Sequence, residues 1–189
     1  MRLQRDGRQE VTQLVLYEES GRHAPVLATD DRLQISKHLA TLGFGYERAR
    51  AEAELPSDAD QDFVLCAYSG TIARLAQRGA YQGVDVFRAL PDAPDRAALR
   101  ATFLTEHTHD DDEVRLFVEG GGSFYLRGKG RVAELRARRG DLVRVPAGSR
   151  HWFDTGNPPF CTAIRLFTRP DGWVASVTGD AIAGRFAST

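Results

Sequence analysis

Residues 106–128 read EHTHDDDEVRLFVEGGGSFYLRG, and this stretch decides the fold. Within it EVRLFVE (113–119) and GSFYLRG (122–128) each alternate in character, as extended chains with one buried face do. The same texture continues on both sides, in FLTEHTH (103–109), RVAELRA (131–137), DLVRVPAG (141–148), HWFDTG (151–156) and CTAIRLFT (161–168). Gly, Pro or Asp clusters separate these segments. Short strands with such regular turn signals predict an all-β sandwich or barrel over residues 101–180. The glycines of EGGGSF (119–124) read as a tight hairpin. No G-K-[ST] follows them, so they are not a phosphate loop.

Residues 1–100 are of another kind. Gln13–Glu18 (QLVLYE) reads as a strand. Thr29-Asp30-Asp31 offers side-chain oxygens for a helix N-terminus, and Ile35, His38, Leu39 and Leu42 follow at helical spacing up to Gly43. A second helix is predicted from Ser57 to about Arg78, with a stripe of Leu65, Tyr68, Ile72 and Leu75. Cys66 is placed on that stripe and reads as a small buried hydrophobe. Val84–Ala89 (VDVFRA) reads as a strand and Pro94–Arg100 as a short helix. No flexible linker marks the boundary near residue 100. The expectation is therefore mainly β: one domain over 1–189, with a mixed helical part (1–100) packed on a barrel core (101–180).

Composition excludes several classes. The 189 residues carry 25 Lys and Arg against 26 Asp and Glu, a formal net charge of −1. A dedicated nucleic-acid or acidic-membrane binder would show a basic excess or stripe. Two cysteines, Cys66 and Cys161, make neither a disulfide framework nor a four-thiolate zinc site. No apolar run suits a membrane span or signal peptide, so a cytoplasmic monomer with no nucleic-acid or membrane partner is expected.

Three of the five histidines fall between 107 and 151. His107 and His109, at i and i+2 of a strand, share one face, and Glu113 follows after the acidic turn. His151 comes just after Pro146-Ala147-Gly148. Three imidazoles and a carboxylate suit a divalent first-row metal such as iron, nickel, manganese or cobalt. By strand parity Arg115 enters the same interior, with Phe103 and Phe153 as apolar walls; Arg165 is a second candidate cation. These arginines either hold an anionic substrate or pair with structural carboxylates. Glu106 and Asp112 point the other way by parity, which disfavours them as ligands. Trp152 and Trp173 read as core or pocket-wall aromatics.

Two longer patterns overlay these residues. H-x-H-x3-E-x6-G runs from His107 to Gly120, and G-x5-P-x-G-x2-H takes Gly140, Pro146, Gly148 and His151. Both resemble the two metal-binding motifs of the cupin superfamily, except that the second motif's usual Asn is here Thr155. EHTHDDDEVRLFVEGGGSFYLR, GDLVRVPAGSRHWFD and AIRLF…DGWVA together resemble the acireductone dioxygenase family of methionine salvage. That resemblance implies a cupin barrel and a single Fe2+ or Ni2+ per chain on His107, His109, Glu113 and His151. It also implies an acireductone dianion and O2 as substrates. Iron would give 4-methylthio-2-oxobutanoate and formate; nickel would give 3-methylthiopropanoate, formate and carbon monoxide. Arg115, Arg165, Phe103, Phe153 and Trp173 would bind substrate, while Glu106 and Asp112 would support metal loading and local conformation. The rival readings are another mononuclear cupin enzyme and a non-catalytic cupin that binds metal or a small ligand.

Overall fold

The computed structural model describes residues 11–50, 53–172 and 174–186. Its organising element is a 16-residue strand, β6 (Glu113–Gly128), shared by two antiparallel layers. The C-terminal part of β6 pairs with β7 (Arg131–Arg138) and β9 (Arg150–Asp154). That layer continues through β1 (Gln13–Glu18) to β2 (Leu27–Thr29) on one side. On the other it runs from β9 through β5 (His107–Thr108) to β11 (Ser176–Val177). The N-terminal part of β6 pairs with β8 (Asp141–Val145) and β10 (Phe160–Phe167), which in turn pair with β3 (Gly45–Arg48) and β4 (Gly83–Ala89).

The glycines at 120–122 therefore sit inside one bent strand, and the expected hairpin is not formed. A side chain there would collide with neighbouring strands. A Cβ on Gly120, which has φ +58°, would lie 1.8 Å from the Phe160 carbonyl oxygen, and one on Gly121 would lie 1.9 Å from that of Ala137. The register against β10 slips by one residue between Thr162 and Ala163. That bulge also reverses parity along β6. Before it, Phe117 faces the interior while Val114, Leu116 and Val118 face outward; after it, Phe124 and Leu126 face in and Tyr125 faces out. The real hairpin turn follows at Lys129-Gly130, both with positive φ.

Three apolar clusters explain the remaining elements. The inter-layer core holds Phe87, Phe117, Phe124, Val143, Phe153 and Ala163 and takes Ile35, Leu39 and Leu42 from α1 (Arg32–Leu42). This helix starts as predicted, with the Asp31 carboxylate accepting from the Gln34 N–H, and ends at left-handed Gly43. The outer face of β6, β8 and β10 is covered by Val64, Tyr68 and Leu75. Val64 belongs to α2 (Gln61–Ala67), Leu75 to α3 (Ser69–Ala76) and Tyr68 to the junction between them; these two helices replace the single helix expected over 57–78. Tyr68 leaves helical geometry at the junction; it is fully buried and its hydroxyl donates to the Ala53 carbonyl. Cys66 is consequently exposed rather than buried. The outer face of β7 and β9 is covered by Ile182 and Phe186 of α5 (Ile182–Phe186). A further helix, α4 (Arg96–Phe103), begins and ends later than expected.

Candidate metal centre

The short strand β5 lies between β9 and β11, with His107 directly opposite His151. The rings of His107, His109 and His151 meet, with centroids 4.4–5.3 Å apart, and all three side chains are buried. Their available ligand atoms lie within 4.8 Å of one another. Each ring is oriented from behind by its Nδ1. His107 donates to the Thr105 carbonyl at 2.7 Å, His151 to that of Ser149 at 2.9 Å, and His109 to that of Val174 at 3.0 Å. An imidazole whose Nδ1–H is donated presents Nε2 as a lone pair. Burial and the neighbouring His107 push His151 down to about 3, and burial lowers His107 as well, so both rings are neutral at physiological pH.

Glu113, at the start of β6, completes the cluster. Its Oε2 lies 3.4 Å from His109 Nε2 and 3.9 Å from His151 Nε2. With His151 neutral, that contact is not an ion pair. Burial would raise the Glu113 carboxyl, but Arg115 and the surrounding positive groups outweigh it and hold it at about 2. Glu113 Oε2, His109 Nε2 and His151 Nε2 are buried with no hydrogen-bond partner. Buried polar atoms are seldom left so. Two imidazole nitrogens and a carboxylate oxygen, all orphaned toward one point beside His107, fit a divalent cation.

Arg115 is 1% exposed and forks onto Glu113 Oε1 through Nε and Nη2, each at 2.8 Å. Its guanidinium carbon stands 4.7 Å from the Phe124 ring centroid and 5.2 Å from that of Phe153. Nη1 has no partner. Arg165 lies opposite Arg115 in the ladder, yet its guanidinium is clamped by Asp85 at 2.8 and 2.6 Å. Phe103 is not on a strand with the histidines: it ends α4, and its ring packs edge-on against Phe87 at 4.8 Å. The Ala- and Leu-containing RAALRATF segment prefers helix to an extended chain. Trp173 lies outside the described residues.

Of the acidic neighbours, Glu106 is fully buried and bound by Arg127 and Thr178. Exposed Asp112 accepts from the Ala147 N–H at 2.8 Å. Buried Asp111, which accepts from the Arg169 N–H at 2.7 Å, was not anticipated, nor were Phe124, Phe87, Asp85 and the carbonyl of Val174. Phe124 is hidden by the parity reversal in β6, and the partners of Asp111, Asp85 and Val174 are long-range. Cys161 is fully buried, and burial pushes its thiol up to about 12, so it supplies no thiolate.

An antiparallel barrel of this kind is a cupin, and its interior histidine cluster is one that could hold a metal ion. The ARD/ARD' family model matches residues 15–175, and the chain belongs to that family. The acireductone dioxygenase of Parvibaculum lavamentivorans is 51% identical over 93% of this chain and 96% of its own length. That of Synechococcus sp. WH7803 is 46% identical over 94% and 98%. A solved acireductone dioxygenase from Bacillus anthracis, with a cadmium ion in its active centre, superposes with a TM-score of 0.75 at 29% identity, covering 88% of this chain and 98% of that one. Among the described residues no helix is long and apolar enough to cross a membrane.

Proposed function

We propose that the chain is an acireductone dioxygenase that cleaves 1,2-dihydroxy-5-(methylthio)pent-1-en-3-one with O2. The observation that carries this is the convergence of orphaned donor atoms of His109, His151 and Glu113 beside His107, in a chain half identical to enzymes of that name. One Fe2+ or Ni2+ per chain would be held by His107, His109, Glu113 and His151. When bound, that ion supplies Lewis acidity and a template for an oxygen-rich chelating substrate. Arg115 then has two tasks. Its fork keeps Glu113 ionised and aimed, and its free Nη1 donates to the substrate, favouring the dianion over the monoanion. Phe153 and Phe103 wall the apolar side, with Trp173 assigned to the same wall. Arg165, neutralised by Asp85, adds a positioned donor rather than a free charge. Glu106 and Asp112 act from outside, through the segments they tie. Iron would direct cleavage to 4-methylthio-2-oxobutanoate and formate, nickel to 3-methylthiopropanoate, formate and carbon monoxide, in a cytoplasmic monomer of methionine salvage.

The test is anaerobic reconstitution of the metal-free chain with Fe2+ or Ni2+, then addition of oxygenated acireductone and identification of the products. Formate with the keto acid from iron, and carbon monoxide from nickel, is the expected result. Unchanged acireductone with both metals would leave only a metal-binding cupin.

A further inference from the structure

The three histidines are not oriented in the same way. His107 and His151 each donate to a carbonyl two residues earlier in their own loops, whereas His109 donates to Val174, 65 residues away. His109 alone of the three thus depends on a remote segment for its tautomer and ring angle. That segment, residues 174–180, also supplies β11, which pairs Ser176 with Thr108 and Val177 with His107. β5 is only two residues long, so β11 is what borders it on the side away from β9. Val174 and Ser176–Val177 are themselves exposed, and among the described residues none of them belongs to a buried apolar cluster.

Its attachment is polar and centred on Glu106. The Thr178 N–H donates to the Glu106 carbonyl at 3.1 Å and the Thr178 hydroxyl to Glu106 Oε1 at 2.7 Å. Arg127 reaches the same fully buried carboxylate at 3.1 Å and spans to Asp180 at 2.8 Å. Asp180 closes the ring by donating its N–H to the Thr178 hydroxyl at 3.2 Å. Neither carboxylate of this ring belongs to the histidine cluster. We infer that Thr178 and Arg127 are positioning residues for the metal centre: through Glu106 they seat the 174–178 segment, whose Val174 carbonyl sets His109 for coordination. This rests on the reading of the histidine cluster as a metal site, and not on the reaction assigned to it.

The measurement is titration of the metal-free full-length chain with Co2+, followed by visible absorption of the bound ion. In Thr178→Val, which keeps shape and removes the hydroxyl, affinity should fall about 10-fold, at the lower end of losses seen when a ligand's orienting partner is removed. The cobalt bands should also change, while the melting temperature of the metal-free variant stays within about 2 °C of wild type. Thr178→Ser should restore both affinity and spectrum, and Arg127→Gln should weaken binding in the same direction. Unchanged affinity and spectrum in both Thr178→Val and Arg127→Gln would overturn the inference. So would a loss matched by lower metal-free stability, or one that Thr178→Ser does not rescue. A wild-type chain that takes up no cobalt overturns this inference and the metal centre together. Clamp-dependent cobalt binding without oxygen consumption overturns only the dioxygenase assignment.

Discussion

His151 is held at both ends: its Nδ1 by the Ser149 carbonyl, its ring by the edge of Phe124 at 5.6 Å. Replacing it with Ala should abolish most metal uptake, exceeding the about 100-fold that loss of an outer partner can cost. Metal analysis after dialysis against one equivalent checks this; full occupancy would remove His151 from the ligand set. Arg115 behaves differently. Arg115→Met leaves the buried Glu113 carboxylate without its cation, which should destabilise the metal-free chain by about 3 kcal/mol in urea unfolding. Added metal should recover much of that loss, because a divalent ion replaces the missing charge, while turnover stays lost. At this scale His107, His109 and Glu113 were legible because local spacing brings them together, two histidines at i and i+2 and a carboxylate across one turn; His151 was legible only from the separate pattern that runs from Gly140. The state of Arg165 was not, since Asp85 lies 80 residues away and nothing local marks the pair.

The strand β6 shows what alternation can and cannot reveal. Its two halves read correctly as extended, yet the glycines between them suggested a reversal where the chain bends and changes partners. Close backbone approach and a turn both select glycine, so composition alone does not separate them. The two uses predict different costs. Gly121→Ala forces a Cβ into the Ala137 carbonyl and should cost about 3 kcal/mol, whereas Gly130→Ala, with open space around it, should cost about 1 kcal/mol from its positive φ. Comparable urea midpoints for the two variants would contradict this. The link between α4 and β9 gives a pH signature. Arg100 grips Asp154 at 2.7 and 2.9 Å. Burial would raise the Asp154 carboxyl, but the Arg100 hydrogen bonds and the Gly156 N–H hold it below its ordinary value. A depressed carboxylate contributes stability that is present above its unfolded value and lost as pH falls through its folded one. Stability should therefore drop more between pH about 5 and 3 in wild type than in Asp154→Asn, by about 1 kcal/mol. Parallel urea curves across that range would remove the pair from the acid response.

Across the whole molecule, helices from the N-terminal half and from the C-terminal end cover opposite outer faces of one barrel. Residues from α2 and α3 cover β6, β8 and β10, and α5 covers β7 and β9. The purpose of the N-terminal half could not be read from its own periodicity, because its apolar stripes match strand surfaces formed elsewhere in the sequence, such as Val114, Leu116 and Leu142 under α2 and α3. A buried anchor strengthens the tie: Asp141 accepts from Thr12, Tyr46, Arg48 and the Arg138 N–H, joining β3 and the residue preceding β1 to the barrel. The balanced net charge of −1 likewise conceals Arg115, buried beside the histidines. What this architecture is proposed to accomplish is oxygen-dependent cleavage of an acireductone at that cluster. The most direct measurement is oxygen consumption by the iron-loaded chain, started by adding acireductone under air. Uptake of one O2 per acireductone, absent from the metal-free chain and from His151→Ala, is the predicted result. Uptake that is the same with and without metal, or no uptake by a fully loaded chain, would contradict the account.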